Sequence, residues 1–256
     1  MISIKTDKEI ELMRVAGKIT AGTLDEISKH IKPGISTAEL DKIAKEYIIN
    51  NGGKPAFLRY NGFPNSICAS IDEVVVHGIP NDKTFLEEGQ IIGIDVGAKF
   101  QGYSGDAART FVVGSTSEDK QKLVDVTKKC FFEAIKDLKE GSRLGDIGFA
   151  IDRCARKHGF ASVTKMGGHG IGKDLHEDPF IPNVGTAGTG VKLTAGMTLA
   201  IEPMINMGTG DMKISGWDAR TADGLPSAHY ENTVLITKNG VEILTKTADL
   251  EAKDIE

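Results

Sequence analysis

At 256 residues with 40% hydrophobic side chains, the chain is long enough for one large domain or two small ones around a sizeable core. Its net charge of -5 comes from interspersed acids and bases, which argues against a general nucleic-acid or anionic-membrane surface and so against direct DNA binding. Three cysteines, Cys68, Cys130 and Cys154, form no CxxC pair, so no disulfide framework or zinc knuckle is written and a reducing cytoplasm is expected.

The N-terminal stretch MISIKTDKEIELMRVAG is charged and amphipathic, without an apolar signal core, and no run approaches the roughly 18 apolar residues of a membrane span. IKPGISTAEL (31–40) reads as a helix end and a turn, and the helix that follows stops at Gly52. Alternation predicts strands over 90–98 and 104–113. The chain then repeats itself with a shift of 107 positions. LKEGSRLGDI (138–147) matches Gly141 with Gly34 and Ile147 with Leu40, and its helix stops at Gly159. LTAGMTLAIE (193–202) matches LEEGQIIGID (86–95), placing Glu202 on Asp95, and further strands are predicted over 197–204 and 228–237. Each half therefore reads as helix, helix, then antiparallel strands. The pattern is α+β, expected as a single domain over 1–256 with pseudo-symmetric halves of roughly 1–113 and 114–256. GTAGTG (185–190) lacks the Lys-Ser/Thr ending of a phosphate-binding loop and reads as a plain loop.

A hairpin turning at Phe100 and Gln101 would make Asp95 and Asp106 cross-strand partners, a costly repulsion unless something positive sits between them. Alternation puts Ile91, Gly93, Gly97, Ser104, Ala108 and Thr110 on the same face, almost all small residues that leave room over the carboxylates, and sends Ile92, Ile94, Val96 and Ala98 to the core. Glu202 in LAIEPMI and Glu231 in AHYENTV add acids from the second half. Four converging carboxylates call for hard divalent cations. His77, His169 and His176 lie ahead of the acidic strands, with HGI recurring at 77 and 169; His30 and His158 suit helix C-termini, and His229 is left open.

Taken together, VVVHGIP, GIDVGAKFQGYSGDAARTF, GGHGIGKDLHEDP, LAIEPMI and AHYENTV resemble, in order and spacing over essentially the whole chain, the type I methionine aminopeptidases. The resemblance implies the pita-bread fold and a dinuclear centre in which Asp106 and Glu231 bridge two divalent ions, Asp95 chelates one, and His169 and Glu202 complete the other. It implies a water acidified by both ions that attacks the first peptide bond, with Glu202 taking its proton, His77 near the substrate amine and His176 at the carbonyl. The methionine pocket would be lined by Tyr60, Phe63, Cys68, Leu175 and Trp217, alongside His77 and His176. Carboxylate and imidazole donors without thiolate accept Co, Mn, Fe or Zn. Expected partners are peptide N-termini with Met first and a small second residue, presented by nascent chains at the ribosome to a monomeric enzyme. The chain departs from the family pattern at Leu175 (often Phe), Phe63 (often Tyr) and in HYEN for the commoner QFEH around Glu231.

Prolidases share the metal set but carry a further N-terminal domain, for which His77 lies too early; type II enzymes carry an insertion for which the 29 residues from Glu202 to Glu231 leave little room. A metal-free binding protein would need another reason for four converging acids.

Overall fold

In the computed structural model, which describes residues 2–248 and 250, three of the four α-helices among the described residues begin where a hydroxyl accepts an orphan N–H of the first turn, and the fourth follows Arg143 without such a cap. Thr6 caps α1 (Asp7–Ser28) and Ser36 caps α2 (Thr37–Asn50), each closing a capping box with the glutamate three residues on, Glu9 and Glu39. Short strands β1 (Lys54–Pro55), β2 (Ile67–Ile71) and β3 (Val74–Val76) follow, then the long hairpin of β4 (Ile91–Phe100) and β5 (Tyr103–Val112). β4 carries β5 along one edge and β1 and β2 along the other. The last residues of the expected domain, 251–256, lie outside the described residues.

The second half repeats this order with α3 (Glu118–Ile135), α4 (Leu144–Lys157), β6 (Ala161–Ser162), β7 (Gly167–Gly170), β8 (Glu177–Pro182), β9 (Thr198–Ile201) and β10 (Met204–Asn206). A hairpin of β11 (Met212–Ser215) and β12 (Asp218–Thr221) comes next, then β13 (Ser227–His229), β14 (Asn232–Ile236) and β15 (Val241–Ile243). The 107-residue shift holds to the residue: α4 is α2 displaced by that interval at both ends. The isolated bridge Ser36–Phe85 recurs as Arg143–Lys192. Gly52 and Gly159 both leave their helix at positive φ, 78° and 87°, where a Cβ would be strained. In each half the helices cover one side of the strands, burying Ile92, Ile94, Val96 and Ala98 in one core and Leu199, Ile201, Val234 and Ile236 in the other. A third apolar cluster draws on both halves, with Ile10, Met13 and Phe63 from the first and Leu175 from the second.

One expectation is corrected. The β4–β5 hairpin reverses at Gln101–Gly102, not at Phe100–Gln101. Both central residues need positive φ in a two-residue primed turn, and they have 45° and 91°; a glycine takes the second position and no bulky Phe is forced into the first. Asp95 therefore stands opposite Ala108 and Asp106 opposite Gly97, so the two acids are diagonal neighbours. Each pairing slips by two residues, an even number, so the small-residue face stays as expected.

The predicted strands 197–204 and 228–237 are each split, the first at Glu202–Pro203 and the second at Tyr230–Glu231. Pro203 has no N–H for the ladder, and the acids sit in the interruption. Register carries on across it, with Ile201 facing Asn232, Met204 facing His229, and Tyr230 N–H donating to Pro203 C=O at 3.1 Å.

Candidate metal centre

The two hairpins meet along β5 and the 229–233 segment. Ala108 and Glu231 exchange backbone hydrogen bonds, at 2.9 and 3.4 Å. On one side Thr233 Oγ1 accepts the Asp106 N–H and donates to its carbonyl; on the other Thr110 Oγ1 does the same for His229. This seam aims the small-residue face of β4–β5 and the split strands of the second half into one space.

That space is a cleft of about 700 Å³. Asp95, Asp106, His169, Glu202 and Glu231 line it, as do His77, His176, Tyr60, Phe63, Cys68, Leu175 and Trp217, so the residues expected at the metals and in the methionine pocket come to the same cavity. Asp106 and Glu231 are buried, at 3% and 2% exposure. His169 Nδ1 donates to the Gly170 carbonyl at 2.9 Å, which turns Nε2 toward Asp106 Oδ2 at 3.8 Å and Glu202 Oε1 at 3.7 Å. His229 Nε2 lies 3.4 Å from Glu202 Oε2 and 3.9 Å from Glu231 Oε2.

Electrostatics make the cluster untenable as four bare charges. Burial, then the neighbouring acids, holds Asp106 and Glu231 well above the usual carboxylate range; burial does the same to Glu202 and pushes Asp95 up to about 7. Burial also lowers the imidazoles, His169 to about 3 and His77 to about 4, so they stay neutral and able to donate a lone pair. Asp95 Oδ1 and Asp106 Oδ1 are buried and lack a hydrogen-bond partner. Orphaned carboxylate oxygens beside neutral imidazoles fit a hard cation. Two donor groups, Asp106–His169–Glu231 and Glu202–His229–Glu231, each gather their ligating atoms within 4.8 Å of one another. Asp95 belongs to neither group, although its carboxyl interacts directly with that of Asp106.

One wall of the cleft is apolar. Phe63 and Leu175 are buried, and Cys68 faces Asp95 across β2 and β4. Trp217 hangs in the β11–β12 turn, and pairing of β12 with β3 carries it to His77. Its indole meets Phe63 edge-on at 5.3 Å and His77 at 5.8 Å. His77 itself sits just past β3 at φ 63°, a left-handed conformation for a side chain bound to this spot by its surroundings. His176 Nδ1 lies 2.9 Å from the Tyr60 hydroxyl, and its ring centre 4.1 Å from that of His169. Phe57, Met166, Phe180 and Met204 also line the cleft and were not singled out in the sequence. Met204 could have been found by alternation from Glu202; Phe180 arrives as the cross-strand partner of His169, a pairing invisible in one strand alone.

Fold and site together define the class: a metallopeptidase of the pita-bread fold that uses divalent metal. The profile of metallopeptidase family M24 matches residues 11–238. A methionine aminopeptidase of Clostridium acetobutylicum is 50% identical over 96% of this chain and 99% of its own. The structure of a methionine aminopeptidase from Thermotoga maritima superposes with a TM-score of 0.95 at 47% identity, covering 96% of this chain and all of that one. A prolidase from Pyrococcus furiosus is more distant, with a TM-score of 0.79 at 27% identity, covering 95% of this chain and 65% of that one. The chain belongs to family M24 and, within it, to the methionine aminopeptidases.

Proposed function

We propose that this protein removes the N-terminal methionine from peptides and nascent proteins by hydrolysing the first peptide bond. The observation that carries the proposal is the union, in one cleft, of a buried carboxylate and imidazole cluster with an apolar aromatic wall. Asp95, Asp106, His169, Glu202 and Glu231 would hold two divalent ions, Co, Mn, Fe or Zn, with Asp106 and Glu231 shared between them. Their four carboxylates balance two dications. Bound there, the ions supply Lewis acidity and lower the pKa of water.

The remaining work falls to the chain's own groups. Glu202, whose side chain keeps 12% of its surface exposed, accepts the proton of the attacking water. His176, with Nδ1 engaged by the Tyr60 hydroxyl, presents Nε2 to the carbonyl oxygen as charge develops on it. His77 holds the substrate amine. The methionine side chain packs against Tyr60, Phe63, Cys68, Leu175 and Trp217, a flexible thioether against an aromatic edge. We place the enzyme in the cytoplasm as a monomer that meets nascent chains at the ribosome and prefers a small second residue. We also read it as one catalytic domain with halves of roughly 1–113 and 114–256. No helix of the described residues is long and apolar enough to cross a membrane.

The test is release of free methionine from Met-Gly-Ser-Met, Met-Pro-Gly and Leu-Gly-Ser-Met by chelated protein given Mn(II) or Co(II). Metal-dependent release from the methionine-first peptides alone is expected. Equal cleavage of the leucine peptide would overturn the pocket assignment, and no cleavage with metal bound would overturn the activity.

A further inference from the structure

The internal two-fold relates more than helices and turns. In the first hairpin Asp106 faces Gly97, two residues past Asp95. In the second His229 faces Met204, two residues past Glu202. Glu202 is the repeat of Asp95, so His229 occupies in the second half the place that Asp106 occupies in the first. The seam shows the same exchange independently: the Thr233 hydroxyl clasps the backbone of Asp106, and the Thr110 hydroxyl clasps the backbone of His229, all four bonds at 2.9 Å.

The side chain carries this equivalence to the acid cluster, although His229 is not among the residues that line the cleft. His229 is 3% exposed, and its Nε2 is buried without a hydrogen-bond partner. At 3.4 Å and misaligned, the Glu202 contact is not a hydrogen bond. A spacing of 3.4 and 3.9 Å from two carboxylates instead matches the stance of His169, at 3.7 and 3.8 Å from its own two. Donor atoms that share one ion are held apart at such distances, since each reaches roughly 2.0–2.2 Å to the metal.

We infer that His229 is a sixth protein ligand of the metal centre, its Nε2 coordinating an ion together with Glu202 and Glu231. This rests on the reading that the centre holds divalent ions. It gives the centre two imidazole donors, His169 and His229, both from the second half.

The full chain, stripped by chelation and reloaded with Co(II), tests it by X-ray absorption, which counts imidazoles on the metal, and by Mn(II) titration calorimetry. The expected result for the fully loaded centre is an average of about one imidazole per cobalt in wild type, two over two ions, falling to about half that in His229→Gln and in His169→Gln. Loss of an outer partner already weakens metal binding by roughly 10–100-fold, so Mn(II) affinity should fall at least about tenfold in His229→Gln. A wild-type average of about half an imidazole per cobalt, abolished by His169→Gln alone, would overturn the inference and leave the metal reading standing. Absence of any tight Mn(II) site in wild type would overturn both. The wild-type count decides the matter even if the His229→Gln chain folds poorly.

Discussion

Thr233 holds Asp106 from 127 residues away, its hydroxyl accepting the Asp106 N–H and donating to the Asp106 carbonyl, both at 2.9 Å. Asp106 already pairs with Gly97 in its own hairpin through the strand register, so this grip on its outer edge fixes the backbone between two halves of the molecule. The carboxylate is thereby aimed before any ion arrives, which is the preorganisation a metal centre needs.

Thr233→Val keeps the shape of the side chain but leaves the buried N–H and C=O of Asp106 without partners. The expected cost is about 1–3 kcal/mol, with a fall in melting temperature of roughly 2–4 °C per kcal/mol. Thr110→Val should cost a similar amount, because it strands the equivalent groups of His229. Thermal scans of both variants check this; an unchanged melting temperature in both would mean that the seam is not a stabilising element.

Asp106→Asn removes one charge from a crowded cluster while keeping its volume. Turnover should be lost, and the melting temperature of the metal-free variant should equal or exceed that of wild type, since burial disfavours the charged carboxylate. Near-normal methionine release with metal bound would contradict a shared-ligand role for Asp106.

Metal should stabilise the protein more at high pH than at low. The site carboxylates have folded-state pKa values raised above their unfolded ones, so their contribution to stability is intact below about pH 4 and is lost as pH rises through the folded values, about 7 for Asp95 and likewise well above the usual carboxylate range for its neighbours. Cations bound to the ionised site remove that penalty. The rise in melting temperature caused by Mn(II) is therefore expected to be larger at pH 8 than at pH 5.5. Scans with and without Mn(II) at both values measure it, and equal shifts would show that the carboxylates ionise independently of folding.

Trp217→Ala removes the aromatic edge over Phe63 and His77. A hydrophobic pocket discriminates by about 1–3 kcal/mol per group, so kcat/KM for methionine-first peptides should fall roughly tenfold or more, while Mn(II) affinity stays at the wild-type value. Steady-state kinetics beside calorimetry separate the two. A loss of metal binding would place Trp217 in the support of the centre instead of the pocket wall.

Which residues share a face was legible from the chain alone, because a period of two is local. Ile92, Ile94, Val96 and Ala98 went to the core, and Asp95 and Asp106 to the open side, whatever the exact turn. The 107-residue repeat was legible for the same reason: glycines at positive φ and helix ends are written locally, and they recur. The opposing pairs were not legible, since they depend on where a chain reverses; one residue at the turn moved Asp106 from Asp95 to Gly97. Only the tertiary structure joined the halves at Ala108 and Glu231, carried Trp217 to His77 through the pairing of β12 with β3, and set His229 beside Glu202. Those contacts bring together residues far apart in the chain, and no local periodicity encodes the register at which two distant strands meet.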